Sequence, residues 1–140
     1  MKRGERLIVL GLIGLGLAWS WIGHAYDLQP APARVLVTVV DLAGSFVLMT
    51  IALAAARVPP AGRATAALVA VLPWNAVLLS QLAYVGYLFI PLEVLASGLL
   101  LRRHAELARW KAFALASLTR AGAFALTLAA ASVARGWFSR

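Results

Sequence analysis

The 140-residue sequence contains no cysteine. Disulfides, thiolate metal sites, iron–sulfur clusters and thiol catalysis are thereby excluded in one step. Histidine is reduced to His24 and His104. There is no HExxH pair, so a zinc site lacks ligands. A membrane haem held by two histidines needs both at suitable depths, and the topology derived below puts these two on opposite sides. No Walker or Rossmann glycine pattern occurs. Ala43-Gly44-Ser45-Phe46 is not a nucleophile elbow. Ser20, His24 and Asp41 are common residue types with nothing to fix them as a triad. No cofactor and no metal are expected.

Charge is the other scarcity. Only 13% of residues are charged and 63% are hydrophobic, where a soluble domain has roughly 25% and 45–50%. A globule of this size has too little interior to hide that much apolar surface, and disorder needs the opposite composition. The expected class is all-α, a polytopic membrane helix bundle. The net charge of +8 comes from 13 basic and 5 acidic residues. The basic residues cluster at segment ends, where they set topology. No basic face with interleaved aromatics suggests nucleic-acid binding.

Five spans of about 20 apolar residues can be marked, at about 7–26, 35–56, 64–83, 86–101 and 112–134. The first follows a basic head of Lys2, Arg3 and Arg6. A secretory signal has a similar pattern. The one small-residue cleavage candidate, Ala31-Pro32-Ala33, lies past the apolar run and carries a proline, which favours an uncleaved helix. Loops are expected at 27–34, with Pro30 and Pro32, and at 57–63, with Pro59, Pro60 and Gly62. The 38 residues from Ala64 to Leu101 contain no lysine or arginine. As one helix they would measure about 57 Å, nearly twice the hydrocarbon thickness. They are expected to fold back near Gly86, and Pro91 allows a kink or a re-entrant path in the short fourth segment. Residues 102–111 read as an amphipathic helix on the membrane surface. With the N-terminus inside, nine basic residues fall on the inner face and three on the outer, as the positive-inside rule prefers.

Ionisable groups near mid-span cost roughly 2.5–3.5 kcal/mol each on insertion scales. Asp41, Glu93 and Arg120 are of this kind, with Asn75 as a weaker polar companion. An ion pair of Glu93 with Arg120, assisted by Asn75, is expected at the midplane. It serves either as structural glue or as a proton or ion relay. Asp41 is expected nearer the outer face, about 9 Å below the end of its span, without an obvious partner. A second polar group gathers there: Ser20, His24, Tyr26, Gln81, Tyr84 and Tyr87. It reads either as interfacial decoration or as a site in which His24 titrates beside Asp41.

Small residues recur every four positions at Ser117, Ala121, Ala125 and Ala129, and Gly14 and Ala18 form a similar pair. Such rows allow close helix contact, within the chain or with a partner. Arg102, Arg103, Arg109 and Lys111 form an inner-face basic segment suited to a partner or to anionic lipid. The expected partners are the bilayer and other membrane subunits or copies of the chain. Three functions follow: an accessory or scaffold subunit of a membrane complex; a small solute or proton transporter or channel; and, more weakly, an intramembrane enzyme acting on a lipid-like substrate. Eleven arginines against two lysines, with abundant alanine, suggest a GC-rich prokaryote and its cytoplasmic membrane.

Overall fold

The computed structural model describes residues 31–73 and 86–138, with Leu7, Leu10, Gly11 and Gly14 in helical conformation; side chains are described from Pro91 onward in the second stretch. The described residues are helical, without strands. Four helices follow in order: α1 (Ala31–Ala55), α2 (Pro60–Val71), α3 (Gly86–Ala105) and α4 (Arg109–Phe138). The expected first span and the second half of the third lie outside the described residues, apart from Leu7, Leu10, Gly11 and Gly14.

Several boundaries differ from the sequence expectation. α1 begins at Ala31 rather than Val35, with Pro32 in its first turn, where the missing N–H costs no helical bond. α2 starts on Pro60 with Pro59 as its N-cap, so these prolines open a helix as well as close a loop. Its α-helical bonding is described to Val71, with a tighter helical turn at 72–73; the rest of the expected 64–83 lies outside the described residues. α3 runs four residues past Leu101, through Pro91 and into Ala105. α4 extends the expected 112–134 at both ends. No separate surface helix occupies 102–111: a three-residue break at 106–108 divides it between α3 and α4. Glu106 turns that corner with φ 52°.

The α1–α2 corner shows how local chemistry stops a helix. Arg57 has φ 61°. The Arg57 N–H donates to Ala54 O and the Val58 N–H to Leu53 O, both at 3.0 Å. This is a Schellman motif, with its usual hydrophobic contact between the residues either side of the cap. Val58 and Leu53 are both buried in the apolar cluster. Arg63 then clamps the corner, donating from Nε and Nη2 to Val58 O at 3.2 and 2.7 Å.

Each helix packs against two others: α1 on α2 and α4, α3 on α2 and α4. Both corners lie at one end, called here the corner end. Near it the core is apolar and small, built from Met49, Leu53, Ala66, Ala70, Leu101 and Ala116. Small side chains let the backbones close up. A Cβ on Gly44 of α1 would stand 3.0 Å from Leu126 of α4, and one on Gly122 of α4 3.0 Å from Leu48 of α1. Each leucine therefore occupies the space a glycine leaves on the facing helix.

α2 and α3 are joined by the Ser97 hydroxyl, which donates to Ala70 O at 2.6 Å in a fully buried position. Ser97→Ala removes that donor and is expected to cost about 1 kcal/mol. Chemical unfolding in detergent micelles measures it, and an unchanged midpoint would contradict the assignment.

α1 and α4 are long and apolar enough to cross a membrane, with window hydropathies of 2.2 and 1.5. Only 22% of each apolar window is buried, unlike the core helix of a soluble protein. The five crossings expected from sequence are thus not what the described helices display. α3 carries Glu93 at mid-helix and Arg102, Arg103 and His104 in its last turn.

Candidate functional site

α1 buries one stripe: Thr38, Asp41, Ser45, Met49 and Leu53. The spacing of three and four keeps them on one face. Its upper half is polar and its lower half apolar. α4 answers with Ala112, Ala116, Thr119 and Ala123, and α3 with Glu93, Ser97 and Leu101. The apolar cluster fills the corner end. Above it, three ionisable side chains meet.

Helical rise explains the meeting. Asp41 lies about 21 Å from the corner end of α1, Glu93 about 18 Å from that end of α3, and Arg120 about 17 Å from the start of α4, at 1.5 Å per residue. All three stand at one level. Asp41 was expected closer to the outer face. Because α1 begins four residues earlier, it lies about 15 Å inside its helix.

The geometry centres on the guanidinium. Arg120 Nη1 donates to Asp41 Oδ1 and Oδ2 at 3.2 and 3.4 Å. Arg120 Nε stands 3.5 Å from Glu93 Oε2. Side-chain exposure is 6% for Asp41, 4% for Glu93 and 14% for Arg120, so the group is nearly closed. The expected Glu93–Arg120 approach is present, but it is the looser of the two. Asp41, expected to stand alone, is the hydrogen-bonded partner. The closer Asp41 pairing matters energetically, because attraction between buried charges must offset their lost hydration.

Thr127 joins the site. Its Oγ1 lies 2.9 Å from Asp41 Oδ1 and 2.8 Å from Ala123 O. Sequence reasoning missed it, although it lies seven residues beyond Arg120, two turns along the same face. Ser45, one turn below Asp41, is fully buried, and its Oγ makes no hydrogen bond among the described residues. At the other end of the polar stripe the Thr38 hydroxyl donates to Arg34 O at 3.0 Å.

Of the remaining expected site residues, those that are described lie away from this group. Asn75, Ser20, His24, Gln81 and Tyr84 lie outside the described residues, and Tyr87 is described only as part of the first turn of α3. Ser117, Ala121, Ala125 and Ala129 are all exposed. The row that packs α4 inside the bundle is offset from them, through Ala112, Ala116, Thr119 and Ala123. Arg102, Arg103, Arg109 and Lys111 are exposed at the corner end, where Lys111 Nζ lies 5.6 Å from the Trp110 ring centre.

Compared with known proteins, the chain matches no family model, no curated protein and no solved structure.

Proposed function

We propose that this chain is a multi-pass integral membrane protein acting as a non-catalytic accessory or scaffold subunit. The observation that carries the reading is the closed Asp41–Glu93–Arg120 group, whose charges are directed at one another. A transport pathway would leave such groups lining water.

The outer surface supports the membrane setting. Val47, Ile51, Leu95, Leu99, Leu118 and Leu128 all face outward while the mid-helix ionisable groups Asp41, Glu93 and Arg120 face inward. This inverts the soluble pattern and suits hydrocarbon surroundings. The corner end belongs at the cytoplasmic face. It holds exposed Arg57, Arg102, Arg103, Arg109 and Lys111, against Arg34 and Arg135 at the opposite end among the described residues. Arg109 and Lys111 stand in the first turn of α4, where the helix dipole disfavours cations. Contact with anionic headgroups accounts for their placement better than helix stability does. Exposed Trp110 beside them has the amphipathic ring typical of the interface.

The subunit surface in this reading is the exposed row Ser117, Ala121, Ala125 and Ala129. A single phenylalanine there blocks close backbone approach without entering the bundle. In mild detergent the wild-type protein is expected to migrate in a particle containing more than one 14.9 kDa chain or a second membrane protein. Ala125→Phe is expected to reduce that association at least tenfold with helix content unchanged. A wild-type protein that purifies as single chains and moves a solute across liposomes would overturn the accessory reading in favour of transport.

A further inference from the structure

We propose that the Asp41–Glu93 pair binds one proton around Arg120, so that the buried group is held electrically neutral. The inference rests on the membrane setting proposed above and adds a ligand to it.

Charge balance is the first argument. Asp41 faces the site from α1, Glu93 from α3 and Arg120 from α4; the described part of α2 brings no ionisable group to this level. Arg34 lies two turns from Asp41 along α1, about 10 Å by helical rise, and holds contacts of its own. Among the described residues, two carboxylates and one guanidinium leave one negative charge, and Arg120 makes a further contact besides these. An uncompensated charge in an interior of low polarity loses its hydration without replacement, and a group so placed takes up a proton instead.

Hydrogen bonding is the second argument, independent of the count. The Thr127 hydroxyl has one proton but two acceptors, Asp41 Oδ1 at 2.9 Å and Ala123 O at 2.8 Å. It satisfies one at a time while Asp41 is ionised. A carboxyl proton on Asp41 resolves this: Asp41 donates to Thr127 Oγ1, and Thr127 donates to Ala123 O. Glu93 then keeps its charge opposite Arg120 Nε. In the alternative arrangement Asp41 stays ionised and Glu93 Oε2 takes the proton. That oxygen is fully buried and makes no hydrogen bond among the described residues. The two forms differ by moving one proton across the guanidinium, so the proton belongs to the pair rather than to either residue. It comes from solvent, and no other atom is exchanged.

The test is infrared spectroscopy of the full chain in lipid nanodiscs at neutral pH, with deuterium exchange to identify the carbonyl stretch of neutral carboxylic acids. Wild-type protein is expected to show one such carboxyl per chain. Asp41→Asn and Glu93→Gln are each expected to abolish it, because either leaves one carboxylate balancing one guanidinium. Circular dichroism of the same samples verifies that the helices persist, and two independent variants guard against the failure of one to fold. Absence of the band in wild type, or its survival in either folded variant, overturns the proposal. The accessory reading is judged by association, so the two can fail separately.

Discussion

Arg120→Gln is expected to cost about 3–5 kcal/mol, the usual penalty for removing one member of a buried ionic group. The substitution leaves Asp41 and Glu93 in the same enclosure without the cation that faces both. Protonation of both carboxyls limits the electrostatic penalty but does not restore the bonds lost from Nη1. A loss of this size is a large part of an ordinary folding free energy of about 5–15 kcal/mol. The expected signs are a low yield of helical protein in detergent and an early unfolding midpoint. The informative control is the triple variant Asp41→Asn, Glu93→Gln and Arg120→Gln. It keeps the shapes and removes all three charges. Replacing a complete buried ionic group is often neutral, so the triple variant is expected to recover at least half of the lost stability. Because the three side chains form one network, the effects are not additive. A triple variant no more stable than Arg120→Gln would show that Arg120 acts through packing alone.

That result bears on how far the site was legible in the sequence. Asp41, Glu93 and Arg120 stood out because each interrupts an apolar stretch, and the cost of burying charge singles such residues out. Their pairing was harder to read, because it depends on where each helix starts. Proline reads as loop at 30–32 and 59–60, yet Pro32 and Pro60 sit in first turns. Four residues at the start of α1 moved the inferred depth of Asp41 by about 6 Å, enough to separate it from Arg120 on paper. Thr127 carried no signal by type, since threonine is unremarkable in an apolar helix; only its spacing from Arg120 marks it.

The small residues show a similar limit. The row at Ser117, Ala121, Ala125 and Ala129 has clean four-residue spacing, yet it faces outward. The inner row mixes steps of four and three through Ala112, Ala116, Thr119 and Ala123, which follows the 3.6-residue period more closely. In an alanine-rich helix either row is available from composition. The choice was made by the partners: Leu48 lies over Gly122, and Leu126 over Gly44. Those close approaches involve residues distant in sequence, so no local window contains them.

Gly98→Leu is expected to be the most damaging substitution away from the charged group. A Cβ on Gly98 of α3 would stand 2.4 Å from Phe113 Cδ1 and 2.5 Å from its Cε1, with Cγ at 3.1 Å. A separation below 3.0 Å is not tolerated, so the ring or the helix must move. Phe113 belongs to the second turn of α4, only a few residues beyond the 106–108 break. Displacing the ring or the helix separates α3 from α4 just where the apolar cluster packs around Leu101 and Ala112. Overpacking of this kind costs typically 1–3 kcal/mol, and leucine is expected at the upper end, about 3 kcal/mol. Gly98→Ala adds only the Cβ and is expected to cost less, about 1 kcal/mol. The clash is relieved by removing its other half: Phe113→Ala combined with Gly98→Leu puts a side chain where the ring had been. Unfolding in mixed micelles distinguishes the possible causes. If leucine acted only through helix propensity, the change would be stabilising, because glycine is the poorer helix former by roughly 0.8–1 kcal/mol relative to alanine. A destabilised single variant, together with a double variant more stable than it, assigns the cost to steric contact between α3 and α4. An equally destabilised double variant would place the requirement for glycine elsewhere than against Phe113.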